Sequence, residues 1–132
     1  ITYLADKHGK LTYPAGTLER ARQDALTHQI LDEVDALLWT AARHGFVLPM
    51  EYRVAGIKDS LKWEMAINLD RIAHQLTGAF LMGDKMTLPD IVLTHCLGWA
   101  TTAKFDTAPA ALRDYLDRMR ARPAYLTARQ GA

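Results

Sequence analysis

Apolar residues recur every three or four positions along most of this chain and nowhere follow the two-residue alternation of a half-buried strand. Five or six helical segments follow from that spacing and from the residues that punctuate it. The first spans Ile1 to about His8 and stops at Gly9. A loop over 11–16, with Pro14 and Gly16, separates it from the rest. Thr17 then caps a long helix reaching His44, with Gly45 where a left-handed terminal residue is wanted. Its main stripe is Ile30, Val34, Leu37 and Ala41; a second, Leu31, Asp35, Leu38 and Ala42, is apolar but for one carboxylate. The next helix starts after Pro49 and ends near Gly78, carrying Ile57, Leu61, Met65, Leu69, Ile72 and Leu76, with Gly56 as a kink or break.

The segment from about Leu88 to Ala103 is different in kind. Between Leu88 and Ala100 only Asp90 carries a formal charge, and apolar residues cover most of the circumference, so this helix is expected to be buried on all sides. Another helix follows Pro109, with Leu112, Tyr115, Leu116 and Met119 on one face. Arg113–Asp117 and Asp114–Arg118 form i,i+4 pairs on the other, and Pro123 opens a last short turn through Ala128. The expected class is all-α, a helical bundle around a buried, N-capped central helix.

The 132 residues suit one domain, and 49% hydrophobic with 23% charged is ordinary globular composition. Sixteen basic and 15 acidic residues are interspersed with no basic stripe, so nucleic acid is not an expected partner. No apolar run approaches the ~18 residues that a membrane span needs. One cysteine, Cys96, forms no internal disulfide, and a reducing, cytoplasmic setting is the simplest reading. Cys96 itself reads as an inert buried thiol. The histidines His8, His44, His74 and His95 show no repeated ligand spacing, so no metal site is expected. The run Arg118, Arg120, Arg122 reads as a solvated helix end.

The most specific local signal lies in Gly83–Ile91. Thr87 and Asp90 have the spacing of a capping box, in which the hydroxyl accepts from the amide of residue 90 and the carboxylate returns to the amide of residue 87. Met86 and Ile91 flank it as a hydrophobic staple. A buried helix start needs this, since each unpaired amide there costs about 1–3 kcal/mol.

This capped, buried helix resembles the central helix of the C-terminal domain of cytosolic glutathione S-transferases, of the bacterial type. Tyr3-Leu4-Ala5-Asp6 resembles the end of the last helix of that family's thioredoxin-like N-terminal domain. Leu18-Glu19-Arg20-Ala21-Arg22 resembles the start of the first C-domain helix, and Tyr115-Leu116-Asp117-Arg118 and Arg122-Pro123-Ala124 its closing helices. The resemblance covers nearly the whole chain in order. It implies a remnant of the thioredoxin-like domain over 1–10, an inter-domain linker over 11–16 and the helical domain over 17–132.

The resemblance further implies glutathione as co-substrate, conjugation to hydrophobic electrophiles (a detoxification chemistry) and a homodimer. No catalytic residue is expected here, because the family's thiolate-stabilising residue belongs to the thioredoxin-like domain; this chain alone is expected to be inactive. Asp35 and Trp99 match positions in the active-site region of bacterial members, and with Leu38, Trp39 and Ala42 beside Asp35 on the helix they are the expected electrophile-binding residues. His28 matches a position that in some members reaches across the dimer towards glutathione, usually as Asn, and Asp35 stands where a His is frequent. Both departures leave the substrate and the thiol-activation class open. From the residues alone, Asp35 also fits an ion pair or a solvated stripe edge, Trp39 a core position and His28 plain exposure. A non-catalytic interaction module of the same fold is the alternative.

Overall fold

The computed structural model describes residues 1–105 and 108–131, and among these it contains seven α-helices and no named strand. They are α1 (Thr2–His8), α2 (Leu18–Ile30), α3 (Ala36–Ala42), α4 (Ile57–Gln75), α5 (Leu88–Thr102), α6 (Ala110–Arg120) and α7 (Pro123–Gln130). Most boundaries follow the sequence punctuation. Gly9 ends α1 at φ 60, Thr17 Oγ1 accepts the Arg20 amide at 3.2 Å at the start of α2, and Pro123 sits in the first turn of α7.

The long helix is present, but it is not regular. α2 passes through a π turn, Leu31–Asp35, into α3, and a second π turn, Arg43–Val47, extends it. The first is crossed by a contact from α4. Asn68 on α4, almost fully buried, donates its Nδ2 to the Glu33 carbonyl at 2.8 Å. Beside it the Ala36 amide passes over the Asp32 carbonyl and reaches back five residues to that of Leu31. One extra residue rotates the α3 end of the rod by about 100°. Gly45 is not the left-handed stop expected; it lies inside the second π turn, and the rod ends at Leu48, extended at ψ 152, because Pro49 disfavours helix in the residue before it. Gly56 marks a break and not a kink: at φ 80 it separates a 3-10 turn over Met50–Tyr52 from α4 and turns the chain into it.

The core is built around α5. Leu93, Cys96, Leu97 and Ala100 pack with Ile30 and Val34, with Met65, Leu69 and Ile72 of α4, and with Leu112 and Tyr115 of α6. The expectation of burial on all sides needs correction: His95 is exposed, and Ile91, Gly98 and Trp99 are half-buried along one side of α5. That side faces a cleft. The surface pairs on α6 also differ from expectation. Among the described residues Arg113 donates to the Ala108 carbonyl (2.6 Å) and Arg118 to that of Ala79 (3.4 Å), and neither meets Asp117 or Asp114. Exposed ion pairs gain only tenths of a kcal/mol, so nearby carbonyls compete successfully.

Asp90 joins three parts of the fold. Its Oδ2 accepts from the Thr87 amide (2.8 Å) and the Thr87 hydroxyl (3.2 Å), and its Oδ1 from the Leu81 amide and the Tyr115 hydroxyl, both at 2.9 Å. The next orphan amide of α5, that of Leu88, donates to the Leu11 carbonyl at 3.0 Å. The 11–16 segment is thus fastened rather than loose. Gln23, wholly buried, accepts from the Tyr13 amide and donates to Thr12 Oγ1, while Arg20 reaches Asp6, Asp24 and the Tyr13 carbonyl. α1 is fixed against α2 by the same arginine, through Asp6 at 2.6 Å.

Candidate functional site

The cleft beside α5 has a volume of about 1080 Å³. Three walls enclose it. One is the α2–α3 rod and its second π turn, giving Asp35, Trp39, Ala42, Phe46 and Val47. The floor is the open side of α5, where Ile91, Thr94, His95, Gly98, Trp99 and Thr102 recur at three- and four-residue spacing. The third is the end of α6 with α7: Met119, Arg120, Arg122, Tyr125 and Arg129 among others. Its lining is mostly apolar and aromatic with a few polar groups, the make-up of a small-molecule site.

Two indoles set its shape. Trp39 and Trp99 meet edge to face, with centroids 5.5 Å apart and planes at 89°, and His95 tilts against Trp99 at 6.3 Å. Trp39 remains 49% exposed, so it is a wall and not a core residue. The π turn contributes here: it sets the register that brings Asp35 and Trp39 against α5.

Asp35 is half-buried and lines the cleft, and among the described residues it makes no ion pair. The Cys96 thiol donates to it, with Sγ 3.8 Å from Oδ1. Burial first, then the Asp35 charge, pushes that thiol from 9.0 up to about 12, so it stays protonated and unreactive near neutrality.

Of the residues singled out in the sequence, Asp35, Trp39, Ala42 and Trp99 come together in this one cleft. Leu38 is not in its lining; it is 1% exposed and belongs to the core. His28 is exposed on α2, outside the cleft. Sequence reasoning missed the third wall. Arg120 and Arg122 are not a solvated helix end but half-buried lining residues, because α6 finishes against Gly98, whose missing side chain leaves room for the Arg120 guanidinium. The signal for the floor was present, since Ile91, His95, Gly98 and Thr102 share a face with Trp99. Nothing local marks Tyr125.

Among known proteins, the family described as "Glutathione S-transferase, C-terminal domain" matches residues 35–123, about two thirds of the chain. No curated protein sequence matches. A glutathione transferase from Methylococcus capsulatus is similar in structure, with TM-score 0.79 and 28% identity over 98% of this chain. BphK, a bacterial GST solved as a ternary complex, aligns over 98% of the chain with TM-score 0.84 and 23% identity. Gtt2 from Saccharomyces cerevisiae aligns over 96% with TM-score 0.78 and 18% identity; at these last two identities the likeness shows the fold alone. The chain spans 63–64% of the length of these three structures. With an all-α bundle around a capped central helix and a match over most of its length, the chain belongs to the glutathione S-transferase C-terminal domain family.

Proposed function

We propose that this chain is the electrophile-binding half of a transferase that conjugates glutathione to hydrophobic, aromatic electrophiles. The observation that carries the reading is the cleft: two indoles at right angles in a mostly apolar lining, with one carboxylate and three arginines, gathered on the open side of the central helix. Asp35, Trp39, Ala42 and Trp99 are its wall in this reading, and Leu38 supports it from the core.

The division of labour follows from the chemistry. Conjugation needs a thiolate held beside an electrophile, and the proximity term alone is worth several kcal/mol. The one thiol in this chain is buried and held protonated, so it is no substitute for the glutathione sulfur. The thiolate and its stabilising group belong to a preceding thioredoxin-like domain, of which residues 1–10 are the last helix and 11–16 the linker. In that arrangement 17–132 is the helical domain, and by itself it is inactive. Fastening of residues 11–13 by Gln23 and of α1 by Arg20 supports this reading, since it gives a preceding domain a fixed orientation. The active form is a homodimer in which His28, exposed on α2, lies near a glutathione; unpartnered Trp63 and Ile67 on α4 support a covered face there.

The test is conjugation of glutathione to an aryl halide by this chain joined to its thioredoxin-like domain. Turnover above the spontaneous rate, lowered at least about tenfold by Trp99→Ala or Asp35→Ala with glutathione affinity unchanged, is the expected result. No turnover by a folded protein, or turnover indifferent to both substitutions, refutes the assignment.

A further inference from the structure

The third wall of the cleft carries a charge that the hydrophobic reading does not use. Three arginines line the cavity, Arg120, Arg122 and Arg129, against one acid, Asp35. They come from different elements: Arg120 ends α6, Arg122 is the N-cap residue of α7 and Arg129 lies on α7, while the acid comes from the α2–α3 rod. The cleft is polarised, and its α6–α7 side is cationic.

Arg120 is the informative member. Its position in the last turn of α6 alone explains a cation, which complements the terminal carbonyls. It does not explain the burial. Its Nε is out of contact with solvent and, among the described residues, has no hydrogen-bond partner. Nor does the guanidinium end pair with a carboxylate among the described residues. It lies across α5 at Gly98, where a Cβ would stand 2.9 Å from Nη2. A guanidinium in a cavity wall, with no carboxylate partner among the described residues, is suited by an anionic acceptor in that cavity. Arg122 is differently occupied, with its guanidinium 5.7 Å from the centre of the Phe80 ring.

Resting on the proposed electrophile site, we infer that the aromatic co-substrate carries an anionic group, a carboxylate or its equivalent, and that Arg120 is the residue that selects it. The arene packs on Trp39 and Trp99, and the anion points to the α6–α7 wall, where the planar guanidinium donates to two oxygens in parallel. Gly98 is part of the device, because any side chain there occupies the path of Arg120.

The test uses this chain, with 1-naphthoate and its neutral isostere 1-naphthamide, each titrated by calorimetry. The inference predicts that naphthoate binds about tenfold more tightly or better, as one charge-assisted contact allows, and that Arg120→Gln brings the two ligands within about twofold of each other. Equal affinities in the wild type overturn the inference but leave the aromatic site standing, and that comparison needs no variant to fold. Failure of both ligands to bind overturns the site reading and the inference with it. A preference that survives Arg120→Gln removes Arg120 from the role. Displacement of naphthoate by glutathione alone would show the arginine wall to be a glutathione carboxylate site, which contradicts the inference.

Discussion

Replacing Asp90 by alanine removes the acceptor for four donors at once, in a place with no water to substitute. The carboxylate is 0% exposed and takes the Thr87 amide, the Thr87 hydroxyl, the Leu81 amide and the Tyr115 hydroxyl at 2.8–3.2 Å. The donors are not equivalent. Both hydroxyls can rotate, and Tyr115 already reaches the Asp90 carbonyl at 3.3 Å, which alanine keeps. The two amides are fixed by the backbone, and each stranded amide costs about 1–3 kcal/mol. With the small void added, the loss is about 3–5 kcal/mol, a large share of the 5–15 kcal/mol that typically holds a domain together. Asp90→Asn is the control. It keeps one oxygen and turns an NH2 towards donors, so it loses about half as much. Urea unfolding followed by far-UV circular dichroism, extrapolated to water, gives both numbers. A loss below about 1 kcal/mol for Asp90→Ala, at unchanged m-value, refutes the reasoning.

Three further outcomes are open to the same measurement. Gly78→Ala costs more than about 2 kcal/mol, because its Cβ would stand 2.8 Å from the Gly83 backbone, whereas Gly98→Ala costs under about 1 kcal/mol, because what it meets is the far end of the Arg120 side chain. Asn68→Ala removes the side-chain bond to the Glu33 carbonyl and destabilises by about 1–3 kcal/mol; an unchanged midpoint would show that this buried bond adds nothing to stability. Stability falls as pH rises from 9 towards about 12, since Cys96 ionises in the unfolded chain at 9.0 but stays protonated in the folded one until about 12. Tyr115, pushed above its usual 10.0 by burial and then by the charge of Asp90, acts in the same direction, and Cys96→Ala flattens the fall.

What the sequence made legible was local. Helix starts at Thr17, Leu88 and Pro123 and the stop at Gly9 are set by capping chemistry that residues three or four apart decide among themselves. The π turns were not legible; the first adjoins a contact between the Glu33 carbonyl and Asn68, thirty-five residues further on, which no local pattern shows. Asp35 and Trp99 could be named because a family resemblance placed them, and Trp39 and Ala42 followed from their place beside Asp35 on the helix; spacing alone left Asp35 and Trp39 undecided. Arg120 was misplaced because a cation at a helix end satisfies every local rule, and only the crossing of α6 over Gly98 turns it inward. Leu38 was grouped with the site from a straight-helix stripe, and it falls in the core.

The central claim is that the cleft between the α2–α3 rod, α5 and α7 holds the aromatic half of the conjugate. A crystal structure of the chain joined to its thioredoxin-like domain, soaked with an S-arylmethyl glutathione, tests it most directly. The account predicts the arene against Trp39 and Trp99 with its far edge towards Tyr125 and Arg120; an arene bound elsewhere, with this cleft empty, contradicts it.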